Sequence, residues 1–248
     1  MSHDFDLTGV APRAAKVIGG FYRDVFAAGD FRLGSVHVTG SAVTPDFRPG
    51  VSDVNSIAVL EEMDFAFLDA VAGLGKKYGK RGVRAPLVMT PGYIRVSLDS
   101  FPIEFMDAKL IHKTILGADV LASLEIKRAD LRLACERELK AGLLSLRQGY
   151  LQSLGSDRRL GDVLAAALSG MIALFRAVIH LKGTPPPVPK VEVLKVLDDV
   201  TEMDLSPFSR VLEARREGKA LKEGAPAAFK AVYDGLEELA EELDALET

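Results

Sequence analysis

The sequence predicts an α+β protein, with a small mixed sheet and flanking helices in residues 1–118 and an all-helical bundle in residues 119–248. Two observations support this prediction. In the first part, glycine and proline punctuate short β-branched segments that alternate with helical patterns, as in a sheet covered by helices. In the second part, apolar residues recur at every third or fourth position over long stretches with few breaks, which indicates packed helices.

The first part contains, in order, a helix, two strands, a second helix and two further strands. Steps of three and four between the apolar residues from Val10 to Val25 define one face of the first helix. Short β-branched or apolar runs define the strands, and glycine, serine and proline mark the turns between them. The predicted ranges are 10–25, 33–39, 52–60, 63–79, 85–89 and 101–107.

The second part carries two apolar series with helical spacing. One runs from Leu160 to Leu181, and the other runs from Phe229 to Leu246. Each series is a seam for packing against another helix. An intramolecular bundle is the favoured explanation, and a homodimer through the same seams is the alternative. The proline-rich segment 185–189 is expected to be a rigid connector between helices.

Composition narrows the class of protein. The 248 residues carry 31 Lys and Arg against 35 Asp and Glu, a formal net charge of −4, which argues against broad, non-specific nucleic-acid binding. No apolar run approaches the roughly 18 residues that a membrane-spanning helix needs. The acidic start lacks the pattern of a signal peptide, and the four histidines show no zinc-site spacing with the single cysteine, Cys135. We therefore expect a soluble, cytoplasmic protein.

One group of residues is a candidate for a functional site: Gly40 and Ser41, followed after a spacer of eleven residues by Asp53 and Asn55. A Gly-Ser turn lets backbone N–H groups and a hydroxyl approach phosphate oxygens closely. Residues two apart on a strand point to the same side, so Asp53 and Asn55 converge. Hard oxygen ligands opposite a phosphate-binding turn are suited to hold Mg²⁺ against a triphosphate.

A third acidic residue is expected from a neighbouring strand. In the predicted strand 101–107, Glu104 lies between apolar residues, where a carboxylate is costly unless it is paired or bound to a metal. Asp107 has the opposite parity along that strand. It is therefore expected to face the other side of the sheet.

These residues resemble the DNA polymerase β-type nucleotidyltransferase superfamily. They are most similar to its small bacterial members of the aminoglycoside adenylyltransferase type, in which a catalytic domain is followed by a helical domain. The resemblance covers most of the first part by motif and the second part by architecture. It implies that Gly40 and Ser41 bind the triphosphate. It also implies that Asp53 and Glu104, together with Asn55, hold Mg²⁺ or Mn²⁺.

The activity implied by this resemblance is transfer of a nucleoside monophosphate, with AMP expected, from ATP or another nucleoside triphosphate to an acceptor hydroxyl. The sequence does not identify the acceptor. Asn55 departs from the family pattern, which has an acidic residue at this position. A neutral amide oxygen can ligate a metal, but it removes one charge from the site. The alternatives are a catalytically degenerate nucleotidyltransferase that binds a nucleotide or a partner protein, and an interaction protein that acts through its helical seams.

Further candidates lie outside these motifs. Arg48, in the loop that joins them, is either a phosphate ligand or a surface arginine. On the long helix that begins the second part, Lys140 and Arg147 share a face and are candidates for nucleotide binding. Glu136, one turn before Lys140, is the candidate general base for the acceptor hydroxyl, and its alternative is an ordinary ion pair with Lys140. Five basic residues between positions 76 and 84 indicate either a solvated helix end and loop, which is favoured, or a contact with phosphate or RNA.

Overall fold

The structure is a computed structural model that describes residues 4–221 and 224–246. The chain is α+β, as the sequence predicts, and divides into two compact units. The first unit comprises the chain up to Leu98 together with Phe105–Glu125. The second comprises Asp99–Glu104 and the chain from Ile126 onward. Within the described residues the first unit holds the four strands, and the second is helical.

The first unit is a four-stranded sheet with associated helices. A one-turn 3-10 helix, Gly40–Val43, follows the first strand. Prolines open three of the α-helices, at the position where a missing N–H group costs no hydrogen bond. The elements from α1 to β4 are α1 (Pro12–Ala28), β1 (Leu33–Thr39), β2 (Asn55–Leu60), α2 (Phe65–Gly79), β3 (Leu87–Met89), α3 (Pro91–Ser97), α4 (Pro102–Leu110) and β4 (His112–Gly117). The first turn of α4, up to Glu104, belongs to the second unit.

The strand order in the sheet is β3-β2-β1-β4. β1 is antiparallel to both β2 and β4, whereas β2 and β3 are parallel, so the sheet is mixed, as predicted. One face of the sheet forms the core with α1, and it presents buried residues such as Val36 and Ala58. Tyr22 on α1 is fully buried, and its hydroxyl shares a 2.8 Å hydrogen bond with the Ser56 hydroxyl on β2. This bond gives both buried hydroxyls a partner.

The predicted strand at 101–107 is wrong, because most of this segment belongs to the helix α4. The alternation of Ile103, Glu104 and Phe105 imitates a strand, but over too few residues to distinguish the two periodicities. Two local features favour the helix. Pro102 is its first residue, and the negative charge of Glu104 lies in its first turn, close to the positive end of the helix dipole.

The second unit is a bundle of helices. The apolar series between residues 160 and 181 is carried by two of them, which are bent relative to each other by 46°. Both predicted seams are buried within the unit, as Leu164, Val178, Leu236 and Leu239 show, each with no exposed surface. The bundle explanation is therefore confirmed for these side chains, and a homodimer stays a prediction. The helices are α5 (Arg128–Gln152), α6 (Asp157–Gly170), α7 (Ile172–Leu181), α8 (Lys190–Thr201), α9 (Ser206–Glu217) and α10 (Ala225–Asp244).

The proline-rich connector between α7 and α8 is anchored by a buried arginine. The guanidinium of Arg176 on α7 donates to the carbonyl oxygens of Pro187 at 2.9 Å and Val188 at 2.6 Å. These bonds give partners to carbonyl groups that a connector of this composition cannot pair in regular secondary structure.

Among the described residues, no single helix has the length and apolar character needed to cross a membrane. The bent pair α6 and α7 meets that requirement jointly, by length and composition only.

Candidate functional site

The turn after β1 lies against the start of β2. Thr39, the last residue of β1, pairs with Asn55, the first residue of β2. Gly40 has a φ of +69°, in the left-handed region that favours glycine, and it begins the 3-10 turn that contains Ser41. A Cβ atom at position 40 would lie 3.7 Å from Nδ2 of Asn55. The structure therefore brings Gly40, Ser41 and Asn55 together across the long loop that separates them in sequence.

Asp53 is positioned by a backbone connection to the loop after α2. The N–H of Val54 donates to the Gly82 carbonyl at 2.8 Å, and the Val54 carbonyl accepts from the N–H of Arg84 at 3.0 Å. Gly82 has a φ of +87°, which allows the chain to turn back at this point. As a result, Nη2 of Arg84 lies 2.8 Å from Oδ2 of Asp53. The sequence indicated Arg84 only as one member of a basic cluster, because no local pattern reports this long-range pair.

The Asp53–Arg84 pair is exposed, since 40% of the Asp53 side chain and 68% of the Arg84 side chain are accessible. Exposed ion pairs contribute at most about 1 kcal/mol, so Asp53 can exchange Arg84 for another cation at small cost. Val54 is buried whereas its neighbours Asp53 and Asn55 are not, which puts both polar side chains on the accessible side of the chain. A carboxylate and an amide oxygen are hard donors, and they fit a divalent ion such as Mg²⁺ or Mn²⁺.

Arg48 lies in the loop between the two motifs, and its side chain is exposed. Its backbone forms a tight turn with Ser52: the Arg48 N–H donates to the Ser52 hydroxyl at 2.9 Å, and the Ser52 N–H donates to the Arg48 carbonyl at 2.8 Å. This turn directly precedes Asp53. Contact between Arg48 and a phosphate stays a prediction.

Glu104 is exposed in the first turn of α4, in the short segment that belongs to the second unit. The expectation that it lies on a strand of the sheet is wrong. The strand that follows it, β4, pairs with β1 and carries residues 112–117 instead. The role of Glu104 as a metal ligand stays a prediction.

The three candidates on α5 already have partners within the second unit. Glu136 accepts hydrogen bonds from Lys140 at 2.5 Å and Arg132 at 3.1 Å. The hydrogen bond from Lys140, followed by the charges of both cations, lowers the pKa of Glu136 despite some opposing effect of burial. The ion pair that the sequence offered as the alternative is therefore present. Arg147 donates to the Tyr233 hydroxyl on α10.

A lowered pKa has a direct chemical consequence for Glu136. It means that the carboxylate holds a proton less readily, and a weaker base is less effective at deprotonating an acceptor hydroxyl. The geometry of α5 thus supports the structural explanation of Glu136 and Lys140, and their roles with substrate stay predictions.

Comparison with known proteins shows the fold. No protein-family model and no curated protein sequence matches the chain. Among solved structures, spectinomycin adenyltransferase AAD(9) from Enterococcus faecialis, determined with ATP and spectinomycin, is similar over 90% of this chain and 98% of its own, at a TM-score of 0.52 and 14% identity. At this identity the likeness extends to the fold alone. The chain therefore shares the fold of this structure.

Proposed function

We propose that this protein binds a nucleoside triphosphate at the Gly40–Ser41 turn, with a divalent metal ion at Asp53 and Asn55, and transfers the nucleoside monophosphate to an acceptor hydroxyl. AMP is the expected group. The observation that carries the proposal is the pairing of Thr39 with Asn55, which sets the glycine turn against the start of β2. The similar adenyltransferase structure, which contains ATP, supports a nucleotide substrate.

In this proposal the turn binds and orients the phosphates. Because Gly40 has no side chain, a phosphate oxygen can approach the backbone of the turn closely, and the Ser41 hydroxyl supplies a further donor. Arg84 contributes a positive charge beside Asp53, and Arg48 is the predicted additional phosphate ligand in the same loop. The backbone of the turn is held by the β1–β2 pairing, which preorganises its N–H groups for an anion.

Asp53 and Asn55 supply the metal ligands from β2 and the residues before it. A divalent ion bound there would neutralise charge on the triphosphate and at the transferred phosphorus. Because Asn55 is uncharged, this pair brings a single negative charge. Mg²⁺ commonly binds through one or two carboxylates, with waters and substrate phosphates completing its shell, so a site of low charge is chemically adequate once the nucleotide is present.

The test is a calorimetric titration of the protein with ATP, CTP, GTP and UTP, each with and without Mg²⁺. We expect saturable binding of at least one nucleotide that requires the metal and is lost in Asp53→Ala. This variant is a suitable control because Asp53 is exposed, so its truncation leaves the core intact. Failure of all four nucleotides to bind the folded protein would refute the proposal and direct attention to protein partners.

Arg84 competes with a metal for Asp53, so its removal is expected to strengthen metal binding. In the absence of nucleotide, Arg84→Gln should raise the affinity for Mg²⁺ by up to about fivefold, the equivalent of an exposed pair worth at most ~1 kcal/mol. Calorimetric titration with MgCl₂ measures this change. Lys80→Gln is the matched control, because it removes the same charge from the exposed end of α2. An equal gain in both variants would show only a general effect of net charge.

Asn55 motivates the second candidate function, a degenerate site that binds nucleotide without transfer. It is exposed, and it is the single asparagine of the chain. Asn55→Asp adds a charge to the donor set and is expected to raise Mg²⁺ affinity roughly tenfold, because ligand charge is the main determinant of affinity in such sites. Gln148→Glu, which adds a charge on the exposed face of α5, is the control and should leave Mg²⁺ affinity unchanged.

The same Asn55→Asp variant separates the two functions. Release of pyrophosphate from ATP in the presence of Mg²⁺ reports transfer to any acceptor, including water. If Asn55→Asp gains activity over an inactive parent, the natural site is a degraded enzyme that binds only. If the parent is active and the variant loses activity, the site evolved around the neutral amide.

A further inference from the structure

Two histidines and an aspartate that are far apart in sequence meet at one edge of the first unit. His37 is fully buried in β1, His112 begins β4, and Asp119 follows β4. One ligand-type atom from each residue can be chosen so that all three lie within 4.8 Å of one another. The two imidazole rings are edge to face, with centroids 5.8 Å apart. Sequence spacing gave no sign of this group, because the contacts depend on the pairing of β1 with β4.

The two oxygen atoms next to the His112 ring favour a bound cation. The ring Nδ1 lies 3.1 Å from the Lys109 carbonyl oxygen, and the ring Nε2 lies 2.9 Å from Oδ1 of Asp119. Both oxygens are acceptors, whereas a neutral imidazole has one N–H and can donate to only one of them. If the Nδ1–H donates to the backbone, the Nε2 lone pair faces a carboxylate. A positive ion shared between Nε2 and Oδ1, or a second proton on the ring, resolves this conflict.

His37 is suited to remain neutral beside that pair. Its imidazole is fully buried, where a charged ring would be costly. Its Nε2 lies 2.9 Å from the Ser35 hydroxyl and its Nδ1 lies 2.8 Å from the Thr114 hydroxyl, so both ring nitrogens are oriented by hydrogen bonds. A neutral, oriented imidazole is the form of histidine that ligates metals.

We propose that His37, His112 and Asp119 form a binding site for a divalent transition-metal ion of the Zn²⁺ class. Two imidazoles and a carboxylate are the donor set of many three-ligand zinc sites, in which water takes the fourth position. Zn–N and Zn–O bonds of about 2.0–2.2 Å place two ligand atoms of a tetrahedral site ~3.4 Å apart. On binding, the 2.9 Å separation of Nε2 and Oδ1 would therefore widen slightly, and His37, which lies with them in a group spanning at most 4.8 Å, would move closer. The Lys109 carbonyl and the Ser35 hydroxyl act as the second shell that orients the rings.

The site has its own ligands and does not rest on the proposed nucleotide site, although the two are neighbours in the sheet, because Thr39 pairs with both Asn55 and His112. Its residues come from β1, β4 and the segment after β4, whereas Asp53 and Asn55 belong to β2 and the residues before it. The donor sets also differ, since imidazole suits Zn²⁺ and similar ions, and an all-oxygen set suits Mg²⁺. A bound metal ion would connect His112 on β4 and Asp119 to His37 in β1 by bonds stronger than the present hydrogen bonds.

The experiment is a Zn²⁺ titration of protein purified without a histidine tag and stripped with a chelator, followed by competition with a chromogenic chelator. We expect one tightly bound equivalent and a higher unfolding temperature in its presence, because a ligand that binds only the folded state stabilises it. Asp119→Asn and His112→Gln should each weaken Zn²⁺ binding by at least about tenfold. Loss of a residue that only orients a ligand already costs about that much, and loss of a ligand should cost no less. Asp119 is 43% exposed, so its replacement by the isosteric amide leaves the core unaltered.

His180→Gln is the matched control, because it makes the same chemical change at an exposed histidine on α7. The Cys135 thiol is fully buried, and burial raises its pKa, so it competes poorly for added Zn²⁺. The proposal is overturned if the folded protein binds no Zn²⁺, or if His180→Gln weakens binding as much as His112→Gln. Zn²⁺ binding that persists when Asp53→Ala has lost nucleotide binding would support the site independently of the proposed function.

Discussion

Replacement of Asp53 by asparagine is expected to lower metal-dependent turnover at least about hundredfold, the scale seen when one charge-stabilising group is removed from a reaction centre. The change preserves the shape of the side chain and removes its charge. Because Asn55 is already neutral, the variant has no carboxylate in this part of the donor set, and binding of the metal with a triphosphate should fall sharply. Pyrophosphate release from ATP and calorimetric titration with ATP and Mg²⁺ measure the two effects.

The fold is expected to survive this substitution. Asp53 is 40% exposed, and its ion pair with Arg84 contributes at most about 1 kcal/mol, so the unfolding midpoint should change little. Asp69→Asn, at an exposed position on α2, makes the same chemical change away from the motifs and should leave both measurements unaltered. Full activity in Asp53→Asn, or an equal loss in Asp69→Asn, would contradict the assignment of Asp53 to the metal.

Replacement of Gly117 by alanine is expected to destabilise the protein by about 3 kcal/mol or more. Gly117 ends β4 opposite Ser35 with a φ of +75°, a conformation in which an L side chain is strained. A Cβ atom there would lie 1.9 Å from the carbonyl oxygen of Gly34, which is backbone and cannot move aside as a side chain does. Chemical denaturation, followed by circular dichroism, measures the loss.

Gly73→Ala is the matched control for that experiment. Gly73 is exposed in the middle of α2, and a Cβ atom added there meets nothing within 4 Å. Alanine has the higher helix propensity, so this variant should be more stable than the natural chain by about 0.5–1 kcal/mol. Equal stability of the two alanine variants would mean that the β1–β4 junction is looser than its geometry indicates.

Local patterns were sufficient to predict the elements that hold the proposed nucleotide site. The β-branched run of β1 is followed by Gly40 and Ser41, and a Gly-Ser pair after a strand indicates a turn. The positive φ of Gly40 in the structure agrees with that prediction. The polar start and apolar remainder of β2 likewise identified it as a strand. The sheet was predicted from short β-branched runs, and the helical bundle was predicted from apolar residues at every third or fourth position. Most of these segments are long enough to show the periodicity of their secondary structure.

The failures have a common physical origin. The apolar neighbours of Glu104 predict a buried carboxylate in a strand. In the structure Glu104 is exposed on the helix α4, and its apolar neighbours lie on other faces of that helix. A short segment does not separate a period of two from a period of 3.6, and the tertiary context decides. Glu104 could therefore be proposed as a ligand by its chemistry but not placed by its sequence.

Pairs that depend on strand order could not be predicted from one sequence. Arg84 meets Asp53 because the loop after α2 runs parallel to the start of β2, and His37 meets His112 because β4 pairs with β1. Nothing in the spacing of these residues reports either contact. Local motifs in the sequence therefore indicated the candidate groups for phosphate and metal. They did not indicate the arginine and the imidazoles that reach these places from distant parts of the chain.

The loop between α2 and β3 tolerates changes of side chain better than changes of length. Main-chain bonds from Val54 to Gly82 and Arg84 fix this loop, so side chains along it can change without moving the guanidinium from its carboxylate. An inserted residue, by contrast, would shift the register of both bonds together. Engineering of the basic cluster should therefore proceed by substitution at constant loop length, with Gly82 retained, whereas grafting a longer loop here would separate two halves of the candidate site.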